Sequence, residues 1–329
     1  VIHDGESVAF LTRRHRFHLI EVLPWALAVA AFFAFPTYLQ LGSQILIMAM
    51  FALSLDLILG FAGIVTLGHA ALFGVGAYAA GILSVHAGWN EPLTGLVAAG
   101  ASAALVGLIS GWVILRTHGL TLLMLTIATA ILLHEFTNEQ GHITGGANGL
   151  SGIMMDPLLG IFSFDFYGRT GYFYALAVVL VSFLIARIVV FSPFGQSLKG
   201  IRENEARMHA IGTPVHRRKL IIYTISSAMA GVAGGLLAQT TQFVGDDVLS
   251  FGRSADVLII LILGGTGRLY GALVGAPVYM VIQDQLAKQY PEYWQLGIGL
   301  MLVAAVFFAR NGIVGLWDER PAYWRRRPA

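Results

Sequence analysis

Apolar residues run along this chain in long blocks, separated by short polar or glycine-rich stretches. A helix needs roughly 20 predominantly apolar residues to cross the hydrocarbon of a bilayer. The blocks fall at about 19–39, 44–60, 67–87, 94–115, 120–137, 170–191, 220–240, 254–266, 269–286 and 294–309, and they predict ten spans. The eighth block is short and ends in glycine, so it reads as a half-span as readily as a full crossing. The first block is not followed by a small-residue cleavage site and leads straight into the second, so it reads as a retained helix and not a signal peptide. The fold class this predicts is an all-α polytopic membrane helix bundle of about ten transmembrane helices.

Composition supports the same picture. The chain of 329 residues is 57% hydrophobic and 12% charged, with a mean hydropathy of +0.74. A soluble domain carries about 25% charged residues; a chain with half that number cannot solvate its surface, which excludes an ordinary cytosolic enzyme or a disordered chain. There is no cysteine, which excludes thiolate metal sites and a disulfide scaffold.

The position of the charges orients the bundle. With the N-terminal segment inside, seventeen of the 20 Lys and Arg residues fall on the inner side, counting Arg187 near the inner end of the sixth block; only Arg169, Arg253 and Lys288 fall outside. Cytoplasmic loops carry the excess of Lys and Arg. The expectation is therefore two cytoplasmic termini, with a cytoplasmic segment at 1–18, a membrane domain at 19–310 and a basic tail at 311–329. Acids such as Glu91, Glu135, Glu139, Asp156, Asp246 and Asp247 fall outside.

Two further patterns run through the spans. Gly231-x3-Gly235, Gly267-x3-Gly271, Gly271-x3-Gly275 and Gly76-x3-Ala80 place small residues on one helix face, which permits close backbone approach in lipid. Leu57-Ile58-Leu59-Gly60-x-x-Gly63 recurs as Leu261-Ile262-Leu263-Gly264-x-x-Gly267, as in a chain with an internal repeat or by coincidence in a Leu- and Gly-rich sequence.

The longest inner loop, 191–219, is not featureless. Pro193 and Gly195 stop the sixth span, Leu198, Ile201, Ala206 and Met208 give a short amphipathic helix at about 197–212, and Gly212 followed by Pro214 stops it. One reading is a helix lying among the headgroups. The other is a docking helix for a cytoplasmic partner, because Arg202, Glu203, Glu205 and Arg207 present both signs of charge.

Elsewhere, polar groups inside spans are functional candidates by default. Asp56, Thr66 and His69 flank the tight 60–68 turn and are expected to face one another, either as a gate or pathway lining or as a hydrogen-bonded clip between helices. In the outer segment 144–152, which carries Thr144 and Asn148, Gly145, Gly146 and Gly149 suit positive φ and Asn148 can join them. That segment reads as a set of turns or as an outer gate that meets a delivering protein.

Several of these stretches together resemble the larger permease subunit of branched-chain amino acid ABC importers. They are Gly60–Tyr78, Leu120–Thr129, Thr144–Gly152, Ser192-Pro-Phe-Gly through Glu203-Asn-Glu-Ala206 to Gly212, and Ser254–Gly271, spread over about 45–316. The resemblance implies a many-span, type II importer-like fold in the bacterial inner membrane. It implies a second homologous permease, two cytoplasmic ATPase subunits that hold ATP and Mg, and a periplasmic substrate-binding protein. It also implies that the inner helix couples to an ATPase, with Lys199, Arg202, Glu203, Asn204, Glu205, Ala206, Arg207 and Gly212 as the contact set. The segment departs from the Glu-Ala-Ala-x3-Gly pattern of importer permeases, since Arg207 follows Glu205-Ala206 and the glycine comes later. Similar permeases serve urea, short amides or aromatic acids.

The residues themselves assign no engine or cofactor to this chain. It has three lysines, and none lies in a Gly-x4-Gly-Lys-Ser/Thr phosphate loop. His134-Glu135 begins like a zinc-protease motif but has Asn138 in place of the second histidine, so a metal site of His134, Glu135, Glu139 and His142 is not expected. Nucleic acid is not an expected partner. The competing classes are an ion-coupled secondary carrier, for which Asp56 alone approaches the midplane, and an intramembrane enzyme, for which no paired nucleophile and base is evident.

Overall fold

A computed structural model describes residues 22–158, 160, 162–163, 168–308 and 312–318. Its helices are α1 (Leu23–Ala34), α2 (Leu39–Asp56), α3 (His69–Ala87), α4 (Pro92–Ile114), α5 (Leu120–Glu139), α6 (Arg169–Phe191), α7 (Pro193–Glu203), α8 (Glu205–Ala210), α9 (Val215–Thr241), α10 (Phe251–Gly264), α11 (Leu269–Gln289), α12 (Trp294–Phe308) and α13 (Gly312–Asp318). The boundaries follow local chemistry. Pro92 opens α4, where a missing N–H costs nothing. Gly88 closes α3 in the left-handed conformation, its N–H bonded to Ser84 O at 3.1 Å. Ser250 caps α10 by accepting from Arg253 N at 3.2 Å.

Each predicted apolar block contains a helix, but the helices differ in length. Among the described residues, six are long and apolar enough to cross a membrane, namely Leu39–Phe61, α3, α4, α5, α6 and α9, and a seventh is counted if α10 and α11 are one broken span. α10 and α11 are bent by 114° across a four-residue break, so the half-span expected at 254–266 belongs to a broken pair. α1 and α12 are shorter, at 12 and 15 residues. The second span begins at Leu39, five residues before the predicted start, and α2 runs on as a single π-helical turn, Leu57–Phe61. The expected segment 1–18 lies outside the described residues, as does most of the tail 311–329.

The core is built around α2, which is 83% buried along its span, whereas α5 is 22% buried. Outward positions of α4 to α6 are large and apolar: Leu105, Ile109, Leu132 and Ile188 are all about 60% exposed or more. Buried polar contacts and an apolar exterior are what lipid as a solvent demands.

The small-residue faces meet as the spacing predicts. A side chain on Gly76 would strike the Gly231 backbone, one on Gly234 would strike Phe73 O, and one on Gly235 would come within 2.6 Å of Ala99 Cβ. These contacts lock α9 against α3 and α4. A side chain on Gly264 would strike Gly271 O, so the second small-residue set closes α10 on α11. At the same end as α3's C-terminus, two short strands, Leu150–Ser151 and Phe243–Val244, pair antiparallel with Leu150 opposite Val244.

Candidate functional site

The two ends of the bundle differ in charge. The α7–α8 end carries Arg116, Lys199, Arg202, Arg207, Arg217, Arg218, Lys219 and Arg268, while Arg169, Arg253 and Lys288 lie at or toward the other.

The sequence predicts one helix at 197–212 there, and the chain instead forms two. Ser192 caps α7 by accepting from Gly195 N at 3.2 Å. Asn204 is extended, with φ −158° and ψ 99°, and its Oδ1 accepts from Arg207 N at 2.9 Å to start α8. A short polar side chain that rewards a break by capping the next turn explains the division. Gly212, at φ +80°, ends the pair as expected.

The inward face of this pair is fixed to the spans. Leu198 and Ile201 are buried, and Arg218 donates to Ser197 Oγ. Lys199 lies over the rings of Phe61 and Phe191, 5.4 and 6.0 Å from their centroids. Glu205 also turns inward: Lys219 Nζ donates to its carboxylate at 2.7 Å, and His118 and His209 lie 3.6 and 4.0 Å away. Partial burial alone would raise the Glu205 pKa, but the Lys219 hydrogen bond and charge, with His118, outweigh it and hold the group below its ordinary value. Ala206, expected on the buried face with Leu198 and Ile201, is exposed because the break at Asn204 resets the helical phase. Met208 is half-buried against Gly200.

The outward face is therefore Ala206, Arg207, His209, Ala210 and Ile211, with Ile211 69% exposed. Sequence reasoning did not single out Ile211; the signal was an apolar residue directly before the Gly212 stop. Glu203 and Asn204 are exposed, and so is Arg202, although its guanidinium donates back to Gly60 O.

The residues flanking the 60–68 turn do not converge on one another. Asp56, fully buried, accepts from Gly267 N at 2.7 Å. His69 Nε2 pairs with Ser54 Oγ at 2.9 Å, and its ring stacks on Phe51. Ser226 Oγ donates to Ser54 O at 2.5 Å, so three spans meet at this serine. Thr66 Oγ1 accepts from Gly68 N at 3.3 Å. The separation arises because 62–68 is non-helical and returns into the bundle before α3 begins beside Ser54.

At the opposite end, Gly145, Gly146, Gly149 and Gly152 all adopt positive φ, whereas Asn148 does not and sits exposed in a single 3-10 turn. Thr144 is buried and donates to Thr137 O at 2.6 Å, which makes it the anchor of the loop. A side chain on Gly149 would come within 2.6 Å of Val244 O. Asp246, expected as an outer acid, pairs with His134 Nε2 at 2.8 Å. Among the described residues, no three His, Cys, Asp or Glu side chains gather closely enough to hold a metal ion.

Comparison with known proteins places this bundle in a family. Residues 37–306 match the family described as the branched-chain amino acid transport system permease component. The chain belongs to that family. The LivM high-affinity branched-chain amino acid permease of Escherichia coli K12 is 28% identical, over 94% of this chain and 76% of the relative. A probable LivM permease of Methanocaldococcus jannaschii is 23% identical, over 82% and 90%. The LivH permease of Escherichia coli K12 is 21% identical, over 81% and 91%. No solved structure matches. The chain is thus an ABC transporter permease subunit.

Proposed function

We propose that this chain is one permease half of an ATP-driven importer that moves branched-chain or other hydrophobic amino acids inward across the bacterial inner membrane. A soluble periplasmic protein delivers the substrate, a second homologous permease completes the path, and two cytoplasmic ATPase subunits supply ATP and Mg. The ten-span count with both ends cytoplasmic, and the division at 1–18, 19–310 and 311–329, belong to this reading. The cations gathered at the α7–α8 end support that orientation.

The observation that carries the proposal is the two-faced build of α7–α8. One face is fixed to the spans through Leu198, Ile201 and the Glu205–Lys219 pair; the other offers Ala206, Arg207, Ala210 and Ile211 to a partner. A helix meant only for headgroups has no need of an inward ionic strap. ATP-driven closure of the paired ATPases pulls on this handle and shifts the permease between two arrangements. Thr144 and the positive-φ glycines shape the outer mouth, where the delivering protein docks.

Replacing 203–212 by a Gly/Ser linker of equal length tests the reading. The ATPase subunits are expected to be lost from the purified complex, and ATP-driven uptake with them. Assembly and uptake that survive the replacement would refute it. The rival carrier reading draws on buried Asp56, whose Oδ2 has no hydrogen-bond partner among the described residues. It requires uptake that ignores ATP and stops with a proton uncoupler.

A further inference from the structure

The repeated heptad of the sequence is a structural pair. Gly63 and Gly267, which end the two copies, have φ of +71° and +74°. Each copy breaks a helix: the first closes α2 through its π-helical turn, and the second separates α10 from α11. The two breaks lie against each other. Asp56 Oδ1 takes the Gly267 N–H, and a side chain on Gly60 would meet the Asp56 carboxylate and come within 2.5 Å of Gly267 N.

A side chain of α7 also touches both breaks. The Arg202 guanidinium donates to Gly60 O. A Cβ on Gly63 would lie 3.0 Å from Arg202 Cγ, and one on Gly267 would lie 3.0 Å from the same guanidinium. The stem of Arg202 therefore runs over Gly63, and its head lies between Gly60 of the first break and Gly267 of the second. Arg202 is itself a residue of α7, so any shift of α7 carries it along. Beside it is an open cavity of about 420 Å³ lined by Phe61, Lys199, Arg202, Glu203 and Gly267.

We propose that Arg202 is a positioning residue that couples displacement of α7–α8 to both glycine breaks at once, so that the end of α2 and the α10–α11 bend move together. This rests on the ATP-driven reading above. It reassigns Arg202 from an ATPase contact to a link directed into the membrane domain. An arginine suits the task because its long stem packs over Gly63 while its planar head donates to Gly60 O and lies against Gly267, a flat contact that the compact ammonium of lysine does not reproduce. Glycine breaks suit the receiving end because a few backbone torsions there absorb the change.

The test uses the whole complex in proteoliposomes, with the delivering protein, ATP and radiolabelled L-leucine as probe. Arg202→Ala is expected to leave the ATPase subunits bound while L-leucine transported per ATP hydrolysed falls about tenfold, within the range of site-to-site coupling. Arg202→Lys is expected to restore only a minority of that ratio. Because the chain has no cysteine, a Thr266→Cys variant carries one fluorescent label at the exposed centre of the second break. ATP is expected to change its signal with Arg202 present and not with Arg202→Ala. An unchanged transport ratio and label response in Arg202→Ala would overturn the inference, and so would loss of the ATPase subunits from that variant, which would make Arg202 a docking contact. Absence of ATP-driven uptake by the unmodified complex would instead refute the importer reading itself.

Discussion

The two heptads, 57–63 and 261–267, share five of seven residues and end in the same left-handed glycine, yet the chain leaves them differently. After the first it runs non-helical from 62 to 68 and re-enters the bundle, with Gly68 pressed against Thr126 O. After the second, α11 begins at Leu269 with a bend of 114°. The residue just before each copy also differs. Asp56 precedes the first and Ile260 the second, both fully buried. One copy therefore brings an acceptor and the other only its backbone donor. The five shared residues accompany both breaks, and the unlike residue before them lets the breaks dock on each other.

Substitutions that fill or unpair this junction test the comparison. The largest effect is expected from Gly60→Val, whose side chain has no space between the Asp56 carboxylate and Gly267 N. Its cost is at or above the about 1–3 kcal/mol of an overpacked interior, read as loss of monodisperse protein in size-exclusion chromatography. Asp56→Leu removes the acceptor of the Gly267 N–H, at about 1–3 kcal/mol. Asp56→Asn keeps an acceptor oxygen and is expected to lower the detergent melting temperature by much less. Gly267→Ala and Gly63→Ala each force a side chain into positive φ, at about 1 kcal/mol or more. Gly267→Ala is expected to be the worse of the two, because its Cβ also approaches Gly60 O at 3.2 Å. Equal melting temperatures for these two variants would show that the breaks are interchangeable.

The smallest effect lies at the strap. The folded-state pKa of Glu205 is depressed, so its pairing stabilises α8 at pH values above 4.5, its ordinary value, and that contribution drains away as pH falls through the lower folded value. For a pair this exposed the contribution is about 0.2–1 kcal/mol. Glu205→Gln is expected to raise proteolysis at the 204–212 segment modestly at pH 7. The difference from the unmodified chain is expected to shrink progressively as the pH is lowered below 4.5.

The spans were legible because 20-residue apolar blocks have few other uses, and the small-x3-small faces because close packing in lipid needs them. The glycines of 145–149 were legible too, since positive φ has a compositional signature. What was not legible depends on contacts far apart in sequence. Nothing near Asp56 announces Gly267, and nothing near Arg202 announces Gly60. Asn204 was legible as a helix breaker only once its capping bond to Arg207 N was seen, and the phase reset it causes moved Ala206 to the outside and Glu205 to the inside. Nor does hydropathy register a bend such as that between α10 and α11.

The central claim is that this permease has no engine of its own and is driven through α7–α8. L-leucine uptake by the reconstituted complex, measured with and without ATP and in the presence of a proton uncoupler, tests it most directly. The account predicts uptake that requires ATP on the side bearing α8 and is indifferent to the uncoupler. Uptake without ATP that the uncoupler abolishes would contradict it.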